Sequence, residues 1–264
     1  MKVAVFQFNP EFGERENNLK KIRKNIKNTK AKLLVLPELC TTGYQFISRK
    51  ETKELSESIP GSNTVKQFEE ICAEADVYLI AGMAERDGEE FYNSSLFIGP
   101  KGYIGKYRKV HLFKEEKKWF SPGNIGFRVW DIEGARVGMM ICFDWIFPEA
   151  ARSLTLQGAD IIGHPVNLVL PYCQRAMVTR ALENGVFIIT ANRVGSEKRG
   201  GRERLTYTGQ SQIVNPRGKV LFRLGRKKES FKEIDIDPRQ ARDKNITPEN
   251  HILHDRRPDQ YSID

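Results

Sequence analysis

The order of apolar segments predicts an α/β fold, and three observations carry that reading. Short apolar runs too short for helices recur at residues 3–8, 33–36, 77–83, 136–141, 160–163 and 186–191. Each is bounded by turn residues, as buried strands are. Between most of them lie segments with helical spacing of apolar residues, so strand, helix and strand alternate and the strands pair in parallel through right-handed crossovers. Several of the runs also end in residues with chemistry to offer: Glu38, Cys142 and Asn167. In an α/β sheet such positions converge at the carboxyl ends of the strands.

Taken in order, residues 14–30 are charged but place Leu19, Ile22 and Ile26 on one stripe, a surface helix with a narrow apolar face. The run L-L-V-L at 33–36 stops at Pro37, with Glu38 next. Gly61-Ser62-Asn63 opens a second helix with Val65, Phe68, Cys72 and Ala75 turned inward. Residues 95–98 and 103–109 form a meander about a Gly-Pro-Lys-Gly turn. After the strand at 136–141, Cys142 sits at an elbow, because Pro148 suits a first helical position and Glu149 the positive end of that helix. The strand ending in H-P-V-N at 164–167 echoes the one ending in Pro37-Glu38, a hint of two similar halves. A helix at 172–184 and a strand at 186–191 follow, and then residues 195–204 read as a polar, glycine-containing, mobile loop. Residues 208–215 and 219–224 form a hairpin about Pro216-Arg217-Gly218, and 231–236 is the last strand. One domain is expected over 1–237, with 238–264 a polar tail lying on the surface or on a partner subunit.

Composition narrows the function classes. The chain has 264 residues, 39% hydrophobic and 29% charged, and no apolar run near the length needed to cross a bilayer. Its first ten residues read as a strand and not as a signal peptide. Four sparse cysteines without C-x-x-C spacing point to a reducing cytoplasm and away from structural zinc. The net charge of +9 raises nucleic acid, but acidic residues interleave the basic patches and no aromatic array recurs among them. Heavy use of Lys, Glu and Arg suits a protein from a hot environment. No G-x-S-x-G elbow, G-x-G-x-x-G or Walker loop occurs. His251 and His254 have helical spacing that could hold a metal, without a carboxylate pattern around them.

A lone Cys142 would ordinarily be a small buried hydrophobe. Its setting beside two other strand-end groups, Glu38 and Lys109, changes that. His111 and His164 offer a Cys-His alternative, although structural hydrogen bonding suits both better. The motifs L-P-E-L with T-G-Y, G-K-Y-R-K-V-H-L-F and I-C-F-D-W-I-F-P-E-A-A-R occur in that order, with G-A-D-I-I-G-H-P-V-N and R-A-L-E-N after them. On these the chain resembles the nitrilase superfamily of carbon-nitrogen hydrolases, and within it the small nitrilases and amidases of heat-loving archaea. The resemblance implies a four-layer α-β-β-α sandwich, a Glu38, Lys109 and Cys142 triad, a further glutamate at Glu116 with Glu115 its competitor, and a homodimer or assembly of dimers paired through the helices after Cys142 and after H-P-V-N. No cofactor or metal is implied.

These residue types suit amide chemistry. A thiolate attacks the carbonyl carbon, and a nearby ammonium favours that form. Lys109 and the Phe143 backbone N–H would stabilise the tetrahedral species, and Glu38 would serve as base and acid in turn. Family members acting on carboxylate-bearing substrates often place arginine just after the cysteine; here Phe143, Asp144, Trp145 and Ile146 stand there. A neutral, compact substrate is therefore expected, with Trp145 and Tyr44 along the pocket and Asn167 holding a second polar end. Arg175 or Arg180 could supply the missing charge. Simple aliphatic amides rank first, small nitriles second and N-carbamoyl amino acids last. The different-class rival is an RNA-binding protein on the same fold, using the basic loop at 198–204.

Overall fold

Strands apolar on both faces need a cover on each side, and the first strands show how that is met. In β1 (Lys2–Gln7), Val3 and Val5 enter one core while Ala4 and Phe6 enter another. The computed structural model describes residues 1–261; the tail's last residues, 262–264, lie outside the described residues. The chain continues through α1 (Arg15–Ile26), β2 (Leu33–Val35), α2 (Arg49–Leu55), α3 (Asn63–Ala75), β3 (Tyr78–Asp87), β4 (Glu90–Gly99), β5 (Gly102–Arg108), α4 (Glu116–Trp119), β6 (Val129–Ile132) and β7 (Ala135–Met139). A 3-10 turn (Cys142–Ile146) then leads to α5 (Pro148–Leu156), β8 (Ile161–Val166), α6 (Cys173–Asn184), β9 (Phe187–Asn192), the short pair β10 (Ser196–Glu197) and β11 (Leu205–Thr206), β12 (Gln212–Val214), β13 (Val220–Arg223) and β14 (Ser230–Asp235). A small hairpin, β15 (Asn245–Thr247) and β16 (Asn250–His251), follows in the tail.

Two six-stranded sheets result, ordered β14-β1-β2-β3-β4-β5 and β13-β12-β9-β8-β7-β6. Each has three parallel strands at its centre, β1-β2-β3 and β7-β8-β9, flanked by antiparallel ones. Val3, Leu33, Val35 and Ile80 of the first sheet share a core with Val137, Ile161 and Ile188 of the second. The sheets meet so closely that a Cβ on Gly163 would lie 2.3 Å from Ile80 Cδ1. Leu19, Ile22, Ile26, Phe68 and Cys72 of α1 and α3 cover the outer face of the first sheet, and Leu154, Met177 and Ala181 of α5 and α6 that of the second. This is the α-β-β-α sandwich, and its halves repeat the same parallel triple.

Several expectations are corrected. The meander is longer than residues 95–98 suggested, because β3 and β4 pair from Leu79–Ile98 out to Asp87–Glu90 around Gly88 in the left-handed region (φ 60). Helix α2 escapes periodicity because only Thr52 of R-K-E-T-K-E-L is buried. The loop expected to be mobile is tied down along its length. Arg199 donates to both oxygens of Glu51 at 3.0 and 2.6 Å and to the Gln45 carbonyl, and Arg202 donates to the Phe46 carbonyl and pairs with Glu115. Part of the tail docks on this same chain: Pro238 and Ala241 are buried, and Lys244 Nζ donates to the carbonyls of Asn184 and Gly185 at the end of α6. The His251 and His254 rings stack at 3.7 Å, with His251 Nδ1 accepting from the His254 N–H. Among the described residues no helix is long and apolar enough to cross a membrane.

Candidate active site

Three strand ends deliver the expected triad to one place. Beyond β2 the chain runs against β3: Leu36 N–H donates to the Ile80 carbonyl, Gly82 N–H to Pro37 and Cys40 N–H to Gly82. The approach tolerates no side chain on Gly82, whose Cβ would sit 2.5 Å from Leu39 N and 2.6 Å from Glu38 Cα. Leu39 itself turns at φ 47, unusual for a branched residue, and this bend aims Glu38. Beyond β5, Lys109 is clamped at both backbone groups, donating to the Asn93 carbonyl and accepting from Gly123 N–H, each at 2.8 Å.

Cys142 follows β7 at φ 41, a second strained position. Asp144, fully buried, holds this elbow. One of its oxygens accepts from Ile141 N–H and the Tyr107 hydroxyl, both at 2.8 Å, and the other contacts His111 Nδ1 at 2.7 Å. His164 fastens the other side with Nε2 at 3.0 Å from the Cys142 carbonyl. Because a carbonyl only accepts, Nε2 carries the proton and Nδ1 faces the Thr190 hydroxyl as acceptor. Both histidines thus bond to the frame around the thiol.

The side chains form one dry charge cluster. Lys109 Nζ lies 2.7 Å from Glu38 Oε1 and 2.7 Å from Glu116, with Glu38 and Lys109 side chains fully buried and Glu116 4% exposed. Glu116, at the start of α4, is the glutamate placed on Lys109; Glu115 faces outward and pairs with Lys118 and Arg202. Tyr44 donates to Glu116 Oε1 at 2.6 Å, and Phe113 N–H to Oε2 at 3.2 Å. Asn93 Nδ2 donates to Glu38 Oε1 at 2.7 Å, while Glu38 Oε2 is buried with no partner among the described residues. Asn167 donates through Nδ2 to the Glu38 carbonyl at 2.8 Å, and its Oδ1 is left without a partner.

Burial opposes the charge on Lys109, yet Glu116 and Glu38 outweigh it and raise its pKa. Burial, and then Glu38, lift the Glu116 carboxyl above its usual range against the pull of Lys109. The Cys142 thiol goes well up, first through burial, then through the negative field of Glu38, which the single ammonium does not offset. Lys109 does pull the thiol toward its thiolate form, as expected, but two carboxylates surround this one cation, and burial together with them outweighs the pull. Tyr44 stays a phenol for the same reasons, burial first.

A cavity of about 440 Å³ adjoins the cluster, lined by Tyr44 and Glu116 together with Phe46, Phe113, Trp119 and Arg202. Phe143 stands behind it, 5.0 Å from the Phe113 ring. Trp145, expected on the pocket wall, does not line this cavity; it packs against the central core, and its carbonyl accepts from Arg180 at 3.2 Å. Asp144 likewise turns inward to hold the elbow. The 3-10 turn rotates both away, a twist that a strand-then-helix reading does not contain. Asn93 was missed, although N-S-S in the middle of an otherwise apolar strand was a signal.

A four-layer sandwich with an acid, an ammonium and a thiol gathered at its strand ends defines the class of non-peptide carbon-nitrogen hydrolases. The chain belongs to the carbon-nitrogen hydrolase family, which matches residues 2–244. It is 47% identical to a nitrilase of Pyrococcus abyssi over 264 residues, 99% of both chains. It is 33% identical to an (R)-stereoselective amidase of Pseudomonas sp., covering 91% of this chain and 87% of that one. Saccharomyces cerevisiae Nit3, of the nitrilase superfamily, superposes with a TM-score of 0.80 at 25% identity, covering 92% of each chain.

The His164 clasp has a pH signature. Burial lowers its pKa from 6.5 to about 4, so between those values the unfolded chain binds a proton that the fold refuses. Stability is full above 6.5 and falls with pH down to about 4, by roughly 3 kcal/mol for this one group. Thermal unfolding of the protein and of His164→Gln across that range checks it: the variant, less stable at neutral pH, should lose less on acidification. Parallel curves would remove His164 from the account.

Proposed function

We propose that the chain hydrolyses small, neutral primary amides to carboxylic acid and ammonia through a thioester on Cys142. The observation that carries this is the unpartnered, buried Glu38 Oε2 in a cluster with a doubly compensated ammonium, whose charges act on the Cys142 thiol. Glu38 takes the thiol proton as sulfur bonds to the carbonyl carbon. Lys109 has three donors, and with carboxylates on two it can offer the third to the substrate oxygen, beside the Phe143 N–H ahead of the first bond of the 3-10 turn. The tetrahedral species collapses, the carbon-nitrogen bond breaks, and Glu38 returns its proton to the departing ammonia. Water, deprotonated by the same carboxylate, then cleaves the thioester and restores the thiol. Glu116 orients Lys109 and can accept from the substrate amide, while Asn167 braces the backbone of Glu38. No step calls for a cofactor.

Preference for a neutral substrate rests on the state of the arginines. Arg175 is exposed on α6, and Arg180 is spent on the Trp145 carbonyl and Glu183. Arg202 does line the cavity, but Glu115 already neutralises it. Since Arg199 and Arg202 both have carboxylate partners, the basic loop also offers RNA less than its composition suggests. Small nitriles are the second reading, favoured by the 47% identical relative, itself a nitrilase. We further propose a homodimer or assembly of dimers paired through α5 and α6, where Leu156, Tyr172 and Leu182 are exposed with Ile146 close by. Sedimentation velocity at micromolar concentration is expected to show a dimer or larger species, and a lone monomer would contradict it.

Comparing kcat/KM for a short neutral amide, the matching nitrile and an N-carbamoyl amino acid tests the substrate reading. The amide should lead. If the carbamoyl acid wins tenfold or more, Arg202 is exchanging Glu115 for a substrate carboxylate and the neutral-substrate reading is wrong.

A further inference from the structure

Arg193, just past β9, is fully buried and lies well away from the triad in the chain. Its guanidinium pairs with Glu197 on β10 at 2.5 Å, donates to Asn9 Oδ1 at 2.6 Å and to the Pro10 carbonyl at 3.0 Å, and stacks 4.0 Å from the Tyr207 ring centre. A buried ion pair of this kind rarely repays its desolvation as stability alone. What it does here is visible in the other bonds of Glu197. That carboxylate accepts from Gln45 N–H at 2.7 Å, from Tyr44 N–H at 3.2 Å and from the Tyr207 hydroxyl at 3.1 Å. The fit is close, since a Cβ on Gly43 (φ 81) would lie 2.9 Å from Glu197 Oε1.

Tyr44, gripped in this way at its backbone, donates its hydroxyl to Glu116, which holds Lys109, which holds Glu38. We propose that Glu197, fixed by Arg193, is a positioning residue for the reaction: it locks the backbone of Tyr44 so that the Tyr44 hydroxyl keeps Glu116 seated on Lys109. The inference rests on the reading above that Glu116 takes part in the reaction. It makes a loop 153 residues away from Tyr44 a part of the machinery that sets the geometry of the ammonium. A glutamine at 197 would put an NH2 group against the N–H and O–H donors and leave Arg193 charged without its partner.

The test is the pH profile of kcat/KM for Glu197→Gln, Tyr44→Phe, the double variant and Tyr207→Phe, with Glu116→Gln as reference. The Tyr44 hydrogen bond favours ionised Glu116, so losing it should move the acid limb to higher pH. Glu197→Gln should shift that limb in the same direction as Tyr44→Phe and lower kcat/KM roughly 10- to 100-fold at neutral pH. The double variant should shift no further than Tyr44→Phe alone. Tyr207→Phe keeps the ion pair and removes one donor, so it should give a smaller shift of the same sign even if Glu197→Gln does not fold. Glu197→Asp should recover part of the rate. An unmoved limb in Tyr207→Phe or Tyr44→Phe, or fully additive shifts in the double variant, overturns the proposal. Wild-type rates in Glu116→Gln would instead overturn the role of Glu116 and are read separately.

Discussion

A buried ammonium must be compensated, and the two carboxylates that compensate Lys109 organise everything around them. Glu38 arrives from the first parallel triple and Glu116 from the segment after β5, so the cation ties the strand ends to the loop that closes over them. Removing the ammonium would leave two carboxylates facing each other in a dry site, a loss of several kcal/mol order. The same pairing leaves the cluster one negative charge in excess when both carboxylates are ionised. Burial first, and then this excess, push the neighbouring thiol well up, and in the proposed reaction that makes a base necessary. In the proposed mechanism the free oxygen of Glu38 is that base.

Backbone strain serves this cluster. Leu39 and Cys142 both sit in the left-handed region, next to and at two of its members. Such conformations persist only where the surroundings over-determine them. Gly82 supplies the space beside Glu38, and Asp144 with His164 pins the elbow of Cys142 from two sides. Thr190 and Tyr107, which orient those pinning groups, belong to strands of different sheets. The sandwich is therefore more than a scaffold, since closing the two sheets together is what fastens the thiol.

The parts of this arrangement legible in the sequence are those governed by local pattern. The parallel strands show as short apolar runs, and Glu38 and Cys142 stand out because each follows such a run, whereas Lys109 ends a polar meander strand and stands out only through its motif. Glu116 could be narrowed only to a pair, because which of two adjacent glutamates turns inward depends on the single turn of α4. Trp145 and Asp144 were expected on the pocket wall because a strand followed by a helix does not reveal the 3-10 turn that rotates them into the core. The loop around Arg199 and Arg202 read as mobile since its partners, Glu51, Gln45 and Glu115, are 87 to 154 residues away. Composition reports polarity and cannot report a distant counter-ion. For the same reason nothing in the local sequence singles out Glu197.

The central claim is that Cys142 rests as a thiol and is activated by Glu38, not as a thiolate paired with Lys109. Thiolate absorbance near 240 nm, recorded against pH as the difference between the protein and its Cys142→Ala variant, tests this most directly. The account expects no ionisation step at neutral pH and none until well above the ordinary thiol range. A thiolate step at or below neutral pH would contradict it and place the negative charge on sulfur before substrate arrives.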